Sequence, residues 1–552
     1  MFSTCKAKRK SMNSKQLINF SNVLFIIILF YIFLNGIGTY ELLSKDEPRY
    51  SECAIEMLEK NDFIIPRFNF ENRFDKPPLY YWIIAASYKT FGINAFSSRL
   101  PSAICAILLV LFTWFAVNKI LGKAAGFLSA VILATSIEYI FLGRRAATDI
   151  VLCFFFSATL YSIYLSYFIK DWKEKVFWVI LAGIFSGFAM LTKGPIGIVL
   201  PLFILTLFLF FRKQFDIRHL RVYFLIIFFA LLVSLPWYIL VHIKTHGEFT
   251  KVFFFTHNLE RFTSVVGEHP GPFWFYFPVV LIGFLPWTVF FIPALVNALK
   301  RFRRKSFNRF ILFCLIWFFT IFIFFSLCKT KMTTYILLLF PACAIISGHW
   351  LNIVLRKRFG QVKFSLLALV LILFAALSIG YFFISKASLS YQDKSFLISR
   401  LFILSGFLGS GFLFLVLFGK NRYPLITIFL ISTITPGIIM LNSALNIYHK
   451  ITYGDLCDFA STAKKLGAKE IISFGGYKPI LVYYSRMPVD FNEKPKQIEK
   501  VKSLLKEGKE AYVIGYLSDI EKSKPIVKKN PEIFKNLRII KSGKKYFLGK
   551  FS

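Results

Sequence analysis

Apolar runs of about 20 residues, the length a helix needs to cross the hydrocarbon core of a bilayer, recur along this chain. They lie at 18–38, 98–118, 124–142, 148–169, 176–193, 195–211, 219–243, 273–298, 308–327, 333–354, 363–385, 398–418 and 423–443. The pattern predicts an α-helical polytopic membrane protein with about thirteen transmembrane helices. The short pair 176–193 and 195–211 is expected to form a hairpin turning at Lys193-Gly194-Pro195. Between the first two runs lies a long polar loop, 39–97. Within it, Tyr50, Ala54, Met57 and Leu58 recur at helical spacing with Glu52, Glu56 and Glu59 between them. That alternation predicts an amphipathic helix along the membrane surface. A second helix is expected to start at Pro77-Pro78, since proline suits the first helical turn, and it is too short to span. From about Ile447 the pattern changes to short β-rich runs at 470–474, 511–516, 537–540 and 546–549, with helical stretches at 453–466, 478–485 and 495–507 between them. Alternation of this kind predicts a small α/β soluble domain, a cap that shapes an acceptor groove or steadies the fold. The chain thus divides into a tail, 1–17, a membrane part, 18–446, and the α/β part, 447–552.

Charge sharpens the topology. The net charge is +38 and 56% of residues are hydrophobic. With the N-terminus inside, the clusters Arg212/Lys213/Arg218/Arg221, Lys300/Arg301/Arg303/Arg304/Lys305 and Arg356/Lys357/Arg358 all fall on inside loops, as the positive-inside rule requires. The basic charge is therefore topological, and no nucleic-acid partner is expected. The loop 39–97 and the α/β part then face outward. The first apolar run is long and no cleavage site follows it, which argues against a removable signal peptide. The eight cysteines are scattered without CxxC spacing, which predicts neither a disulfide framework nor a cysteine-held metal. Gly475-Gly476 lacks the GxGxxG pattern of a nucleotide site.

The polar density of 46–78 demands a function. Lys76 directly precedes the helix begun by two prolines, where unpaired N–H groups and the helix dipole favour an anion; the alternative is a snorkelling interfacial lysine. Asp46 and Glu47 either cap the helix opened by Pro48 or supply a general base. Arg144, Arg145 and Asp149 bracket one outside turn, Lys193 sits in another, and Lys329 and Lys331 in a third. Several cations converging on one side suit a phosphate-bearing substrate. The loop 244–272 adds His257, Glu260, Arg261 and His269. His257 with Asp75 could hold a divalent cation, the one cofactor the residues suggest.

The strings DEPRYSECAIEML, IIPRFN and FDKPPLYYW, followed by RRAATDIVL at 144–152, LTKGPIG at 191–197, THNLERFT at 256–263 and CKTKMTTYILLLFP at 328–341, resemble the aminoarabinose transferases of lipid A. That family belongs to the wider protein O-mannosyltransferase-like group, and the likeness runs over about 20–350. The resemblance implies a GT-C fold in the bacterial inner membrane. It also implies transfer of a sugar from an undecaprenyl-phosphate donor to lipid A phosphate on the outer face. Under it, Asp46 is the catalytic acidic residue, Lys76 the phosphate binder, and Asp149, His257, Arg261 and Tyr335 match other cavity positions. Glu47, Arg49, Tyr50, Arg67, Asp75, Tyr81, Arg144, Lys193, Lys329 and Lys331 are the further substrate-binding candidates. Asp75 departs from the family's commoner Glu, and Lys331-Met332-Thr333 from Lys-Leu-Pro. Two alternatives stand beside this reading: the same fold with a protein hydroxyl or another glycan as acceptor, and a lipid-linked sugar transporter.

Overall fold

The computed structural model describes residues 14–43, 45–214, 216, 218–260, 270–304, 306–357, 381–382, 384–386, 393–394, 397–398, 401, 422–521 and 524–551. Helix α1 (Ser14–Leu34) leads through a short link to α2 (Asp46–Glu59), the two-stranded ribbon β1–β2 (Arg67–Phe68, Glu71–Asn72) and α3 (Leu79–Phe91). A continuous series follows: α4 (Ala95–Leu121), α5 (Lys123–Ala134), α6 (Ile137–Gly143), α7 (Thr148–Phe168), α8 (Trp172–Lys193), α9 (Ile196–Phe211) and α10 (Arg218–Lys244). Six helices among the described residues are long and apolar enough to cross a membrane, or up to eight if each bent pair counts as one span. The expected runs 363–385 and 398–418 lie almost wholly outside the described residues, and 423–443 falls inside the helix Arg422–Thr452.

Two expected spans are not single rods. The run 124–142 breaks into α5 and α6 with a bend of 67°, and 273–298 bends by 120° between Phe273–Gly283 and Thr288–Arg301. A broken helix inside a bilayer leaves backbone groups that only protein can satisfy, and here the two breaks satisfy each other. Ile137 N donates to Leu285 O at 2.9 Å, and Trp287 Nε1 donates to Thr135 Oγ1 at 2.7 Å. Elsewhere small residues bring helices close. A Cβ on Gly183 or Gly187 of α8 would lie 2.6 Å from Phe229 or 2.7 Å from the Ala230 carbonyl of α10.

The helix α2 begins at Asp46 with two acids in its first turn, where they oppose the helix dipole favourably. Its polar face is not open to solvent, as a simple amphipathic surface helix would leave it. Glu47, Glu52 and Glu56 are as buried as its apolar residues, because other parts of the chain cover its polar face. The chain beyond Thr452 forms a five-stranded mixed sheet in the order β4-β3-β5-β7-β6 (Val489–Asp490, Ile471–Ser473, Ala511–Tyr516, Tyr546–Phe551, Leu537–Ser542) with flanking helices. β3 pairs in parallel with β4 and β5, and β7 antiparallel with β5 and β6. This sheet unit packs its helix Pro479–Ser485 against α2, so it occupies the same end of the helical bundle as the loop 39–97.

Candidate active site

The residues that enter the site are those that end helices. Asp149 stands in the first turn of α7 and Lys193 is the last residue of α8, each at the terminus whose dipole its charge complements. The tight turn at Gly194, φ 92°, returns the chain into α9, as the Lys193-Gly194-Pro195 hairpin predicts. Lys193 Nζ donates to Asp149 Oδ1 at 2.6 Å and lies 4.5 Å from the centre of the Tyr335 ring. Lys76, buried ahead of α3, completes the group. Lys76, Asp149, Lys193, Thr330, Thr334 and Tyr335 line one cavity of about 410 Å³ whose remaining wall is apolar, from Leu152, Val199, Phe253, Phe254 and Phe325 among others. Two cations and one carboxylate therefore meet in a largely hydrophobic chamber, an arrangement with net affinity for an anion.

Leu200 and Phe324 belong to this cavity and also to a second one of about 700 Å³. The second runs between α9 and the helix Arg309–Leu327 and is lined by Phe203, Leu207, Phe211, Leu315, Ile316, Phe319 and Ile323, with Thr320 its one hydroxyl. The charged chamber and an apolar groove along two membrane helices thus adjoin at Leu200 and Phe324.

Other expected site residues flank the chamber or serve the fold. Asp46 is ion-paired with Arg49 one turn on. The Tyr50 phenol is pushed up by burial and then by the Asp46 charge, and its ring packs 5.6 Å from that of Tyr80 and 6.1 Å from that of Tyr81, itself fully buried. Arg67 pairs with Asp62 at 2.8 Å, and Asp75 pairs with Arg73. Lys329 is exposed. The side chain of His257 and the whole of Arg261 lie outside the described residues, so the Asp75–His257 pair does too.

Three residues that the sequence reading gives to substrate bond to the scaffold. Helix ends in an apolar medium must find donors for their last carbonyls. Arg144 supplies them to Ile32 and to Asn35 (2.6 Å) at the end of α1, and Lys331 to Phe325 (3.1 Å) and Ser326 (2.5 Å) at the end of the helix Arg309–Leu327. Glu47 is fully buried and accepts from Arg99 Nε and Nη2, both at 2.9 Å, from Leu43 N at 2.6 Å and from Ala146 N at 2.8 Å. Burial would raise its carboxyl, but the Arg99 guanidinium holds it below the ordinary value. The sequence reading missed Arg99. Its signal was available: a lone arginine inside an apolar helix needs a buried partner.

The helical membrane architecture, with a cation-lined chamber beside an apolar groove, suits a polytopic glycosyltransferase of the GT-C fold, and comparison with known proteins places it there. Residues 20–249 match the family described as dolichyl-phosphate-mannose-protein mannosyltransferase. An uncharacterized protein of Aquifex aeolicus is 32% identical over 66% of this chain and 71% of its own length. The undecaprenyl phosphate-alpha-4-amino-4-deoxy-L-arabinose arabinosyl transferase of Shewanella sediminis is 29% identical over 62% of each. The crystal structure of ArnT from Cupriavidus metallidurans bound to undecaprenyl phosphate superposes over 96% of this chain and 98% of its own, with a TM-score of 0.80 at 20% identity. The chain belongs to the membrane glycosyltransferase family that contains the protein mannosyltransferases and the undecaprenyl phosphate-aminoarabinose arabinosyl transferases.

Proposed function

We propose that this protein transfers a sugar, in the first instance an amino sugar such as 4-amino-4-deoxy-L-arabinose, from undecaprenyl phosphate to a phosphate of lipid A at the outer face of the bacterial inner membrane. The observation that carries the reading is that the charged cavity and the apolar one adjoin, with Leu200 and Phe324 lining both. A molecule that is anionic at one end and a long hydrocarbon at the other fits that junction, and a polyprenyl-phosphate sugar is such a molecule. The names of the arabinosyl transferase relatives and of the undecaprenyl phosphate-bound ArnT structure support the same donor.

In this reaction an acceptor phosphate oxygen attacks the anomeric carbon of the sugar. The bond from that carbon to the donor phosphate oxygen breaks, and undecaprenyl phosphate departs with one more negative charge. Lys76 and Lys193 meet that charge as it develops, in a chamber dry enough for each cation to act strongly. Asp46 orients the acceptor or takes its proton. The N-terminus is cytoplasmic and the sheet unit periplasmic in this reading, because the basic clusters lie on the loops opposite the site.

The test is mass spectrometry of lipid A from cells lacking the protein, complemented with the wild-type chain or with Lys76→Ala. The expected result is a phosphate-linked sugar that only wild type restores, with turnover of the variant lower by about a hundredfold or more. Lipid A unchanged by loss of the expressed protein would sink this acceptor.

A further inference from the structure

The loop that carries Lys76 is held from two sides. At its middle, Trp82 Nε1 of α3 donates to Phe63 O at 2.7 Å, and Trp237 Nε1 of α10 donates to Ile64 O at 3.0 Å. On either side of that point the loop reaches the sheet unit. Asn69 stands at the tip of the β1–β2 ribbon, and its side chain acts as a strand partner to Val489 of β4. Nδ2 donates to Val489 O at 2.9 Å, and Oδ1 accepts from Val489 N at 2.8 Å. On α2, Glu52 Oε2 accepts from Arg486 Nη1 at 2.6 Å, and the Arg486 guanidinium lies 4.5 Å from the Tyr483 ring centre.

Both residues that make these connections sit in left-handed backbone, with φ 60° at Asn69 and 56° at Arg486. Glycine occupies that region without steric cost, asparagine at a small one and arginine at a larger one. Backbone conformation alone would therefore favour glycine at each position. The side chains present reach across to another part of the chain, more than four hundred residues away in sequence.

We propose that Asn69 and Arg486 are positioning residues. Through them the C-terminal sheet unit latches the 46–78 loop and fixes Asp46 and Lys76 relative to the chamber. The inference rests on the proposed function for its effect on turnover, but not for the latch itself.

Left-handed backbone supplies a clean test, because Asn69→Gly and Arg486→Gly remove the cross-connections while keeping or easing the local conformation. The full-length chain is purified as wild type and as the two variants. Hydrogen–deuterium exchange is followed over 46–78 and over the spans, and kcat and KM are measured with an undecaprenyl-phosphate sugar. The expected result is faster exchange in 62–78 with the spans unchanged, and a kcat lower by about tenfold, since small misplacements of a catalytic group cost that much or more. Arg486→Lys, which keeps a cation opposite Glu52, is expected to recover part of the kcat. Unchanged exchange in both variants overturns the latch. Faster exchange with kcat within twofold of wild type overturns the positioning role. A wild-type chain inactive on the donor refutes the donor reading, and exchange alone then decides the latch.

Discussion

Adjacent acids at 46 and 47 are assigned opposite duties, and stability separates them from catalysis. Glu47 is fully buried and shares two hydrogen bonds with Arg99. Arg99 also donates to the carbonyls of Ile37 (2.6 Å), Tyr40 (2.7 Å) and Glu41 (2.8 Å). Arg99→Ala strands a buried carboxylate and leaves three carbonyls without that donor. Breaking a buried ion pair from one side costs about 3–5 kcal/mol. The double variant Glu47→Ala/Arg99→Ala removes both charges and is expected to cost less than the sum of the singles, with a coupling of about 1–3 kcal/mol. Asp46, by contrast, is partly exposed and paired with Arg49 on its own helix. Asp46→Asn is therefore expected to change stability by less than about 1 kcal/mol while removing most turnover. The assay is reversible unfolding in mixed micelles containing SDS, with turnover measured on the same samples. Arg99→Ala within about 1 kcal/mol of wild type would refute the structural assignment, and an active Asp46→Asn chain would refute the catalytic one.

Three further outcomes are expected. Lys193→Ala leaves Asp149 facing the donor phosphate with one compensating cation fewer, so the donor KM should rise by about tenfold, or ~1.4 kcal/mol, in a donor titration; an unchanged KM places the phosphate elsewhere. Ile323→Trp fills part of the apolar groove and should weaken an undecaprenyl donor more than one with a two-isoprene chain, so equal losses on both would detach the groove from the lipid. Burial pushes the Glu52 carboxyl up to about 8, against the opposing Arg486 charge and with help from Glu56 and Glu59. The folded chain then holds a proton that the unfolded chain releases near 4.5, so stability should fall as pH rises from 4.5 to 8, by at most about 1.4 kcal/mol per pH unit for one group. Melting temperatures across that window check this slope, which Glu52→Gln should flatten.

What could be read in the sequence was local. Pro77 and Pro78 fix where α3 begins, so the placement of Lys76 ahead of a helix followed from three adjacent residues. Asp149 and Lys193 were visible as polar residues at the ends of apolar runs. Their 2.6 Å contact was not, since 44 residues separate them and periodicity carries no tertiary distance. The same limit applies to α2. Its spacing showed a polar face but not what covers it, and Arg486 lies 434 residues away. Hydropathy also passes over the break at Thr135-Ser136, because the mean of a window does not register which carbonyls lose their partners. Strand β4 is two residues long, too short for an alternating pattern, and so the partner of Asn69 could not be anticipated.

The division of labour between Glu47 and the sheet unit follows from what a GT-C site must do. In the proposed reaction the charge develops on a phosphate met by Lys193 of α8 and Lys76 of the loop before α3, and electrostatic stabilisation of that kind works only if the groups are fixed before the reaction begins. Asp149 and Lys193 are fixed by the bundle, since they end helices packed on each other. Lys76 and Asp46 are carried by the loop 39–97, which the bundle holds at its root through Glu47 and Arg99 and at Ile64 through the Trp237 indole. The stretch from Ile65 to Asp75 remains, and its ribbon tip is bonded to Val489. That bond comes from the sheet unit, so the ribbon tip is restrained from outside the bundle that fixes Asp149 and Lys193.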